Sequence, residues 1–141
     1  MVSESKKVRE ILFRGKREDN GNWIVGSFHK SINDCYIIPL PVVTSKSKVI
    51  PETVGQFTGL TDERGKNIFE GDIVRYSERR LGGEDVPVVN VVEFAEGGFA
   101  VNNYFINHWL WNSIDGNTQL SDIEVIGNIH DNPELLEGCD G

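Results

Sequence analysis

The side chains best suited to metal binding or nucleophilic catalysis are those of His29, His108, His130 and Cys35. Zinc ligands usually occur in closely spaced pairs such as C-x-x-C, and none of these four residues belongs to such a pair. Cys35 with either His108 or His130 would supply a nucleophile and its base. Because the apolar run Tyr36-Ile37-Ile38 follows Cys35, the sequence favours a buried and inert thiol. We therefore predict no metal, no cofactor and no catalytic residue.

Carboxylates are the second candidate for chemistry, as acid–base catalysts or as ligands of a catalytic metal. The acidic residues considered for this role are Glu70, Asp72, Glu93, Glu96, Asp115, Asp122 and Glu124. The chain contains 22 acidic residues, so clusters of this kind arise from composition alone. A metal-dependent enzyme is therefore the third hypothesis for the function, behind two kinds of binding protein.

A concentrated basic region near the N-terminus has the residue types that bind nucleic acid. Its members are Arg14, Lys16 and Arg17, with Lys6, Lys7 and Arg9 upstream and Trp23 across a predicted hairpin. Basic side chains beside an aromatic ring can hold a single strand through its phosphates and bases. The formal net charge of −8 opposes a polyanion, however, so tight binding of DNA or RNA is not expected. A nucleic-acid-associated accessory factor is the alternative function.

One stretch concentrates aromatic residues that could form a protein interface. Its members are Tyr104, Phe105, Trp109 and Trp111. Tyr and Trp are enriched at interfaces, and a small domain has little core in which to bury so many rings. Trp109 and Trp111 would share a face in a strand, whereas Phe105 and Trp109 would share one in a helix, and both readings stay open. We predict a homo-oligomer, or contact with another protein, near this stretch.

The elements that would position these side chains are mostly short β-strands, in a pattern typical of barrels and sandwiches. Asn20-Gly21 predicts a hairpin because both residues tolerate positive φ, and Gly97-Gly98 predicts another. The step Gly71-Asp72-Ile73-Val74 is typical of SH3-like barrels, where glycine lets a strand bend. The charged segment 77–85 predicts a loop. Asn132-Pro133 predicts a short C-terminal helical turn.

Length and composition indicate one folded domain. The chain has 141 residues with 38% hydrophobic and 26% charged residues, which is ordinary for a globular protein. We expect a disordered N-terminus over 1–8, a β domain over 9–136 and a loose tail over 137–141. No signal peptide and no apolar run of membrane-spanning length is visible, so a cytoplasmic location is expected.

Three segments together resemble the YopX family of phage and prophage proteins. They are Phe13-Arg14-Gly15-Lys16 with Gly21-Asn22-Trp23, then Val54 through Val74, then Glu124 through Leu136. The resemblance implies an all-β fold, an origin in a bacteriophage genome and a location in the bacterial host. It implies no activity, substrate or catalytic residue. The leading hypothesis is a non-enzymatic protein that acts through protein contacts or self-assembly.

Overall fold

The computed structural model describes residues 10–39, 45–79, 85–95, 98–101 and 123–137. Within these residues the chain forms two antiparallel sheets, which confirms the all-β prediction. None of the helical segments in the same residues has the length and apolar character needed to cross a bilayer.

The first sheet is built from the N-terminal half of the chain. Its strands are β1 (Phe13–Lys16), β2 (Trp23–Lys30), β3 (Cys35–Pro39), β4 (Ser47–Val49), β5 (Gly55–Thr61) and β6 (Asn67–Phe69). They lie in the order β4-β3-β2-β1-β5-β6, so β1 is central although it is first in the chain. A 3-10 turn, Pro51–Thr53, separates β4 from β5. Thr53 Oγ1 accepts a hydrogen bond from the Lys16 amide at 2.8 Å and holds this turn against β1.

The hairpin predicted at Asn20-Gly21 is confirmed. Lys16 pairs with Trp23, and the Arg17 amide donates to the Asn22 carbonyl at 2.8 Å to close the loop. Gly21 has a φ of 74°, which a residue with a side chain rarely adopts. The Asn20 side chain accepts from the Asn22 amide at 2.9 Å, so asparagine and glycine each contribute to the turn.

The first sheet curls so strongly that its edge strand meets its centre. Arg17 forms an isolated bridge with Val49 of β4, and the Ile50 amide donates to the Lys16 carbonyl. The curl encloses a small core of Cys35, Ile37 and Val49. A single bridge is not a strand ladder, so within the described residues the curled sheet is not a closed barrel. Cys35 is buried and unpaired, as predicted.

The second sheet contains β7 (Asp72–Arg79), β8 (Asp85–Ala95), β9 (Gly98–Val101) and β10 (Glu124–Asn128), in the order β10-β7-β8-β9. The prediction of a loop over 77–85 is wrong in part, because Ser77 pairs with Pro87 and Arg79 with Asp85. Backbone pairing along this ladder outweighs the low strand preference of charged residues. The second predicted hairpin is confirmed by the pairing of Ala95 with Gly98; its turn, 96–97, lies outside the described residues.

The two sheets share the larger core. Its buried members are Ile68, Val74, Tyr76, Val92, Phe99, Ala100, Val101 and Ile123. Ile68 belongs to the first sheet and the other strand residues to the second, so this cluster holds the sheets together. Burying one such Val, Ile or Phe side chain stabilises the fold by about 1.5–3 kcal/mol.

The predicted C-terminal helical turn is present as α1 (Glu134–Glu137), directly after Pro133. Asn132 precedes it, and its side chain accepts a hydrogen bond from the Asn128 amide at 3.2 Å. The Asn132 amide in turn donates to the Asn128 carbonyl at 2.8 Å. Asn132 therefore closes the turn that connects β10 to α1.

Gly55 is expected to tolerate no side chain, because a Cβ there would lie 2.5 Å from the Glu70 carbonyl oxygen. Gly55→Ala should lower the free energy of unfolding by about 1–3 kcal/mol. Ser27→Ala, on the exposed side of β2, is the control and should change it by less than about 0.5 kcal/mol. Urea unfolding measures both, and equal stability of the two variants would contradict the close approach.

Candidate functional site

The two sheets are joined by a buried ion pair between the first strand of one and the first strand of the other. Arg14 Nη2 lies 2.8 Å from Asp72 Oδ1, and the Asp72 side chain is 2% exposed. Asp72 Oδ2 accepts a hydrogen bond from the Phe69 amide at 2.7 Å. One carboxylate therefore closes the β6–β7 turn and binds the guanidinium from β1.

The Arg14 guanidinium also lies between two aromatic rings. Its central carbon is 4.7 Å from the ring centroid of Trp23 and 4.9 Å from that of Phe69. Cation–π contacts of this kind are stronger when the cation is desolvated. Arg14 Nε is buried and has no hydrogen-bond partner among the described residues. Contacts of Nη2 and of the two ring faces therefore hold the side chain.

Burial raises the pKa of the Asp72 carboxyl above its ordinary value, while the Arg14 charge and the Phe69 amide act in the opposite direction. Removing a carboxylate from water costs several kcal/mol, and only a close partner offsets that cost. The Arg14 charge therefore favours the ionised form of Asp72 and offsets part of the cost of its burial.

A second ion pair lies beside the first. Asp131 Oδ1 pairs with Lys16 Nζ, and Asp131 Oδ2 accepts from Trp23 Nε1 at 2.8 Å. The hydrogen bonds from Lys16 and Trp23 lower the pKa of Asp131 to about 2. This carboxylate ties the β1–β2 hairpin to the turn after β10, so a second contact connects the two sheets.

His130 lies at the same junction, with its ring centroid 5.9 Å from that of Trp23. Burial lowers the pKa of His130, and the positive charges of Arg14 and Lys16 lower it further. The imidazole is therefore mainly neutral at pH 7, and it adds no positive charge to the surface around it.

Asp62 has a similar structural role at the other end of β10. Its Oδ1 accepts from the amides of Arg64 and Lys66, and its Oδ2 accepts from the Val125 amide at 3.0 Å. Burial acts to raise the pKa of Asp62, but these backbone donors outweigh it and the pKa is lowered. The carboxylate shapes the β5–β6 turn and anchors it to β10.

The basic residues predicted as nucleic-acid contacts all face carboxylates. Arg14 pairs with Asp72 and Lys16 with Asp131, while Arg17 Nη2 lies 2.8 Å from Asp19. Arg14 and Lys16 are also largely buried. The hairpin therefore presents less free positive charge than its sequence suggests, and its basic residues have clear structural roles.

A groove of about 340 Å³ opens beside the ion-pair junction. The residues that line it are Glu52, Val54, Glu70, Gly71, Val91, Val92, Glu93, Phe94, Ile129 and His130. Its base is held by backbone bonds from the Gly71 amide to the Val92 carbonyl and from the Ile129 amide to the Gly71 carbonyl. Phe94 is 53% exposed although its ring packs edge-on against Phe99. This acidic groove is the candidate functional site.

Sequence reasoning identified only part of the groove. Glu70 and Glu93 were among the candidate carboxylates, but Glu52 and Phe94 were not singled out. Phe94 continues the β-branched run from Val86, so it reads as an ordinary strand residue. Only the pairing of β8 shows that its ring remains on the surface.

The other sequence candidates are dispersed or lie outside the described residues. The His29 ring lies 6.1 Å from the Tyr36 ring in a tilted arrangement, and Glu124 pairs with Arg64 and Arg75. Within the described part of the chain, no three His, Cys, Asp or Glu side chains gather as a metal site would require. The candidates outside it are Tyr104, Phe105, His108, Trp109, Trp111, Glu96, Asp115 and Asp122.

Comparisons with known proteins agree with this architecture. A family model described as YopX protein matches residues 10–137. The chain is also similar to the crystal structure of protein EF1440 from Enterococcus faecalis, with a TM-score of 0.55 and 23% identity. That match covers 92% of this chain and 99% of the other, and at this identity it shows a common fold alone. No curated protein is similar enough to match.

Breaking the Arg14–Asp72 pair is expected to destabilise the protein strongly. Arg14→Leu or Asp72→Leu should each cost about 3–5 kcal/mol, because each leaves one buried charge without its partner. The double variant should lose clearly less stability than the two single variants lose together, since neither charge then remains. Urea unfolding of the four proteins measures the coupling, and strictly additive losses would contradict a direct pair.

Asp131 is expected to stabilise the protein in a pH-dependent way. Its pKa is lowered from 3.8 to about 2 in the fold, so its contribution is complete above 3.8 and is lost as pH falls toward 2. Asp131→Asn should therefore reduce stability at neutral pH and converge with the wild type in acid. Unfolding measured across this range tests the effect.

The control for this prediction removes Lys16, the ion-pair partner of Asp131. In a Lys16→Met background, Asp131→Asn should have a much smaller effect, because Lys16 is the leading cause of the lowered pKa. A gap between wild type and Asp131→Asn that stays constant with pH would refute the assignment.

Proposed function

The chain belongs to the YopX family, and we propose that it is a non-enzymatic module that acts by binding other proteins. The observation that carries this proposal is the acidic groove, which combines an apolar base with an exposed aromatic ring. Large exposed apolar side chains in a concave surface are typical of sites where proteins meet.

The contacts of three aspartates in the fold support a non-enzymatic role. Asp62 binds three backbone amides, and Asp72 and Asp131 bind basic side chains at the sheet junction. Each of these carboxylates forms contacts that stabilise the fold. A metal-dependent enzyme would need carboxylates gathered closely enough to hold an ion, and among the described residues Glu52, Glu70 and Glu93 do not form such a group, so this hypothesis has less support.

The family resemblance extends the proposal to origin and place. We propose that the protein is encoded by a phage or prophage and acts in the cytoplasm of the bacterial host. The net charge of −8 and the ion-paired state of Arg14, Lys16 and Arg17 favour a protein partner over nucleic acid.

Loss of the exposed ring in the groove is expected to abolish partner binding. The tagged wild type should recover a host or phage protein from lysogenic cells, and Phe94→Ser should not. Ile32→Ser is the matched control, since Ile32 is 92% exposed but lies in the β2–β3 turn, outside the groove. Recovery of the same proteins by all three forms would contradict a binding role for the groove.

Self-association is a separate part of the proposal. We expect a homo-oligomer whose interface includes part of the stretch from Tyr104 to Trp111. This stretch is joined to the core at Val101 and Ile123, both of which are buried. Light scattering over a concentration series tests it, and a monomer at every concentration would disprove it. Loss of assembly with an intact fold in Trp109→Ala or Trp111→Ala would place these rings at the interface.

A further inference from the structure

We propose that the acidic groove binds an extended basic peptide, in which lysine or arginine alternates with apolar residues, on a partner protein. This inference rests on the proposed function, because it names the chemistry of the partner that the groove would bind.

The charge of the groove is the first argument. Glu52, Glu70 and Glu93 all line it, and within the described residues none of the three forms an ion pair. Glu52 and Glu93 are exposed, while Glu70 is half-buried and accepts a hydrogen bond from the Gln56 amide at 3.3 Å. Three carboxylates without counter-charges create a local negative potential that favours a cationic ligand.

The positive charge of Arg14 does not cancel that potential. Arg14 lies behind Gly71, with its Nη2 atom 3.7 Å from where a Gly71 Cβ would be, and its charge is already balanced by Asp72. His130 lines the groove, but burial and the nearby Arg14 and Lys16 charges lower its pKa. The His130 imidazole is therefore mainly neutral at pH 7 and adds no positive charge to the groove.

The apolar base is the second argument, because it favours a ligand that carries apolar side chains as well as positive charge. Val54, Val91 and Ile129 are half-buried, and Phe94 stands exposed among them. Four successive residues of β8, 91–94, line the groove, so its long direction follows a strand. An extended peptide alternates its side chains, so apolar residues would face the base. The long stems of arginine or lysine would then reach the glutamates at the rim.

A direct binding experiment tests the inference with the full-length protein. The probe is a short fluorescent peptide in which arginine alternates with leucine, and the reference is the same peptide with glutamine in place of arginine. Fluorescence anisotropy should show that the arginine peptide binds more tightly. Glu52→Gln combined with Glu93→Gln should weaken its binding by about tenfold, as two partly exposed ion pairs would.

The matched control removes the same number of negative charges at positions outside the groove. Glu10→Gln with Glu63→Gln removes two exposed carboxylates outside the groove and should leave the affinity unchanged. Equal weakening by both double variants would mean that only net charge matters and would overturn the inference. Equal binding of the arginine and glutamine peptides would overturn it as well.

The remaining outcomes separate this inference from the proposed function. Failure of the arginine peptide to bind the wild type overturns the inference, whereas Phe94-dependent capture of a partner would leave the proposed function intact. If the peptide fails and Phe94→Ser also dissociates the oligomer, a second copy of the chain occupies the groove. If neither binding nor capture depends on Phe94, both proposals fail.

Discussion

The Arg14–Asp72 ion pair is the constraint on which the rest of the structure depends, because it joins the two sheets through charges that are mostly removed from water. A buried carboxylate and a buried guanidinium are each costly alone, so each side chain is tolerated only while the other is in position. The rings of Trp23 and Phe69 cover the guanidinium and limit its movement. Any rearrangement of one sheet against the other would separate the charges, so the pair favours a single arrangement of the sheets.

The acidic groove is a consequence of the same junction. Asp72 can reach Arg14 because Gly71 adopts a φ of 93° and turns the chain sharply between β6 and β7. That turn places Glu70 and Gly71 in the groove wall and brings the Gly71 amide to the Val92 carbonyl of β8. Positive charge is thereby balanced inside the junction, whereas negative charge remains at the groove surface. A partner that binds the groove would contact the most constrained part of the molecule.

Several local features were predictable because short-range chemistry decides them. Asn20-Gly21 forms a turn for the conformational reasons evident in its sequence, and the run after Val86 pairs as a strand because β-branched residues suit a half-buried ladder. Long-range effects decide what the local sequence does not, including the strand formed where a loop was expected over 77–85. The charged residues after Tyr76 join a strand because β8 supplies a pairing partner, and the sheet curls without closing because β4 meets β1 at a single bridge. Neither outcome is determined by the segment's own residues, because each requires a strand that is distant in the sequence.

The sequence by itself determined an all-β chain, the positions of its main turns, a buried Cys35 and the YopX resemblance that the family match confirms. These properties follow from local preference and the apolar pattern, which can be read over a few residues. Only the tertiary structure decided which charged side chains form ion pairs and which remain exposed. Arg14 finds its partner 58 residues away in sequence at Asp72, and Lys16 finds Asp131 at a still greater separation. Whether a charge is exposed, paired or left at a groove depends on which strands become neighbours, because electrostatic energy is set by distance in space.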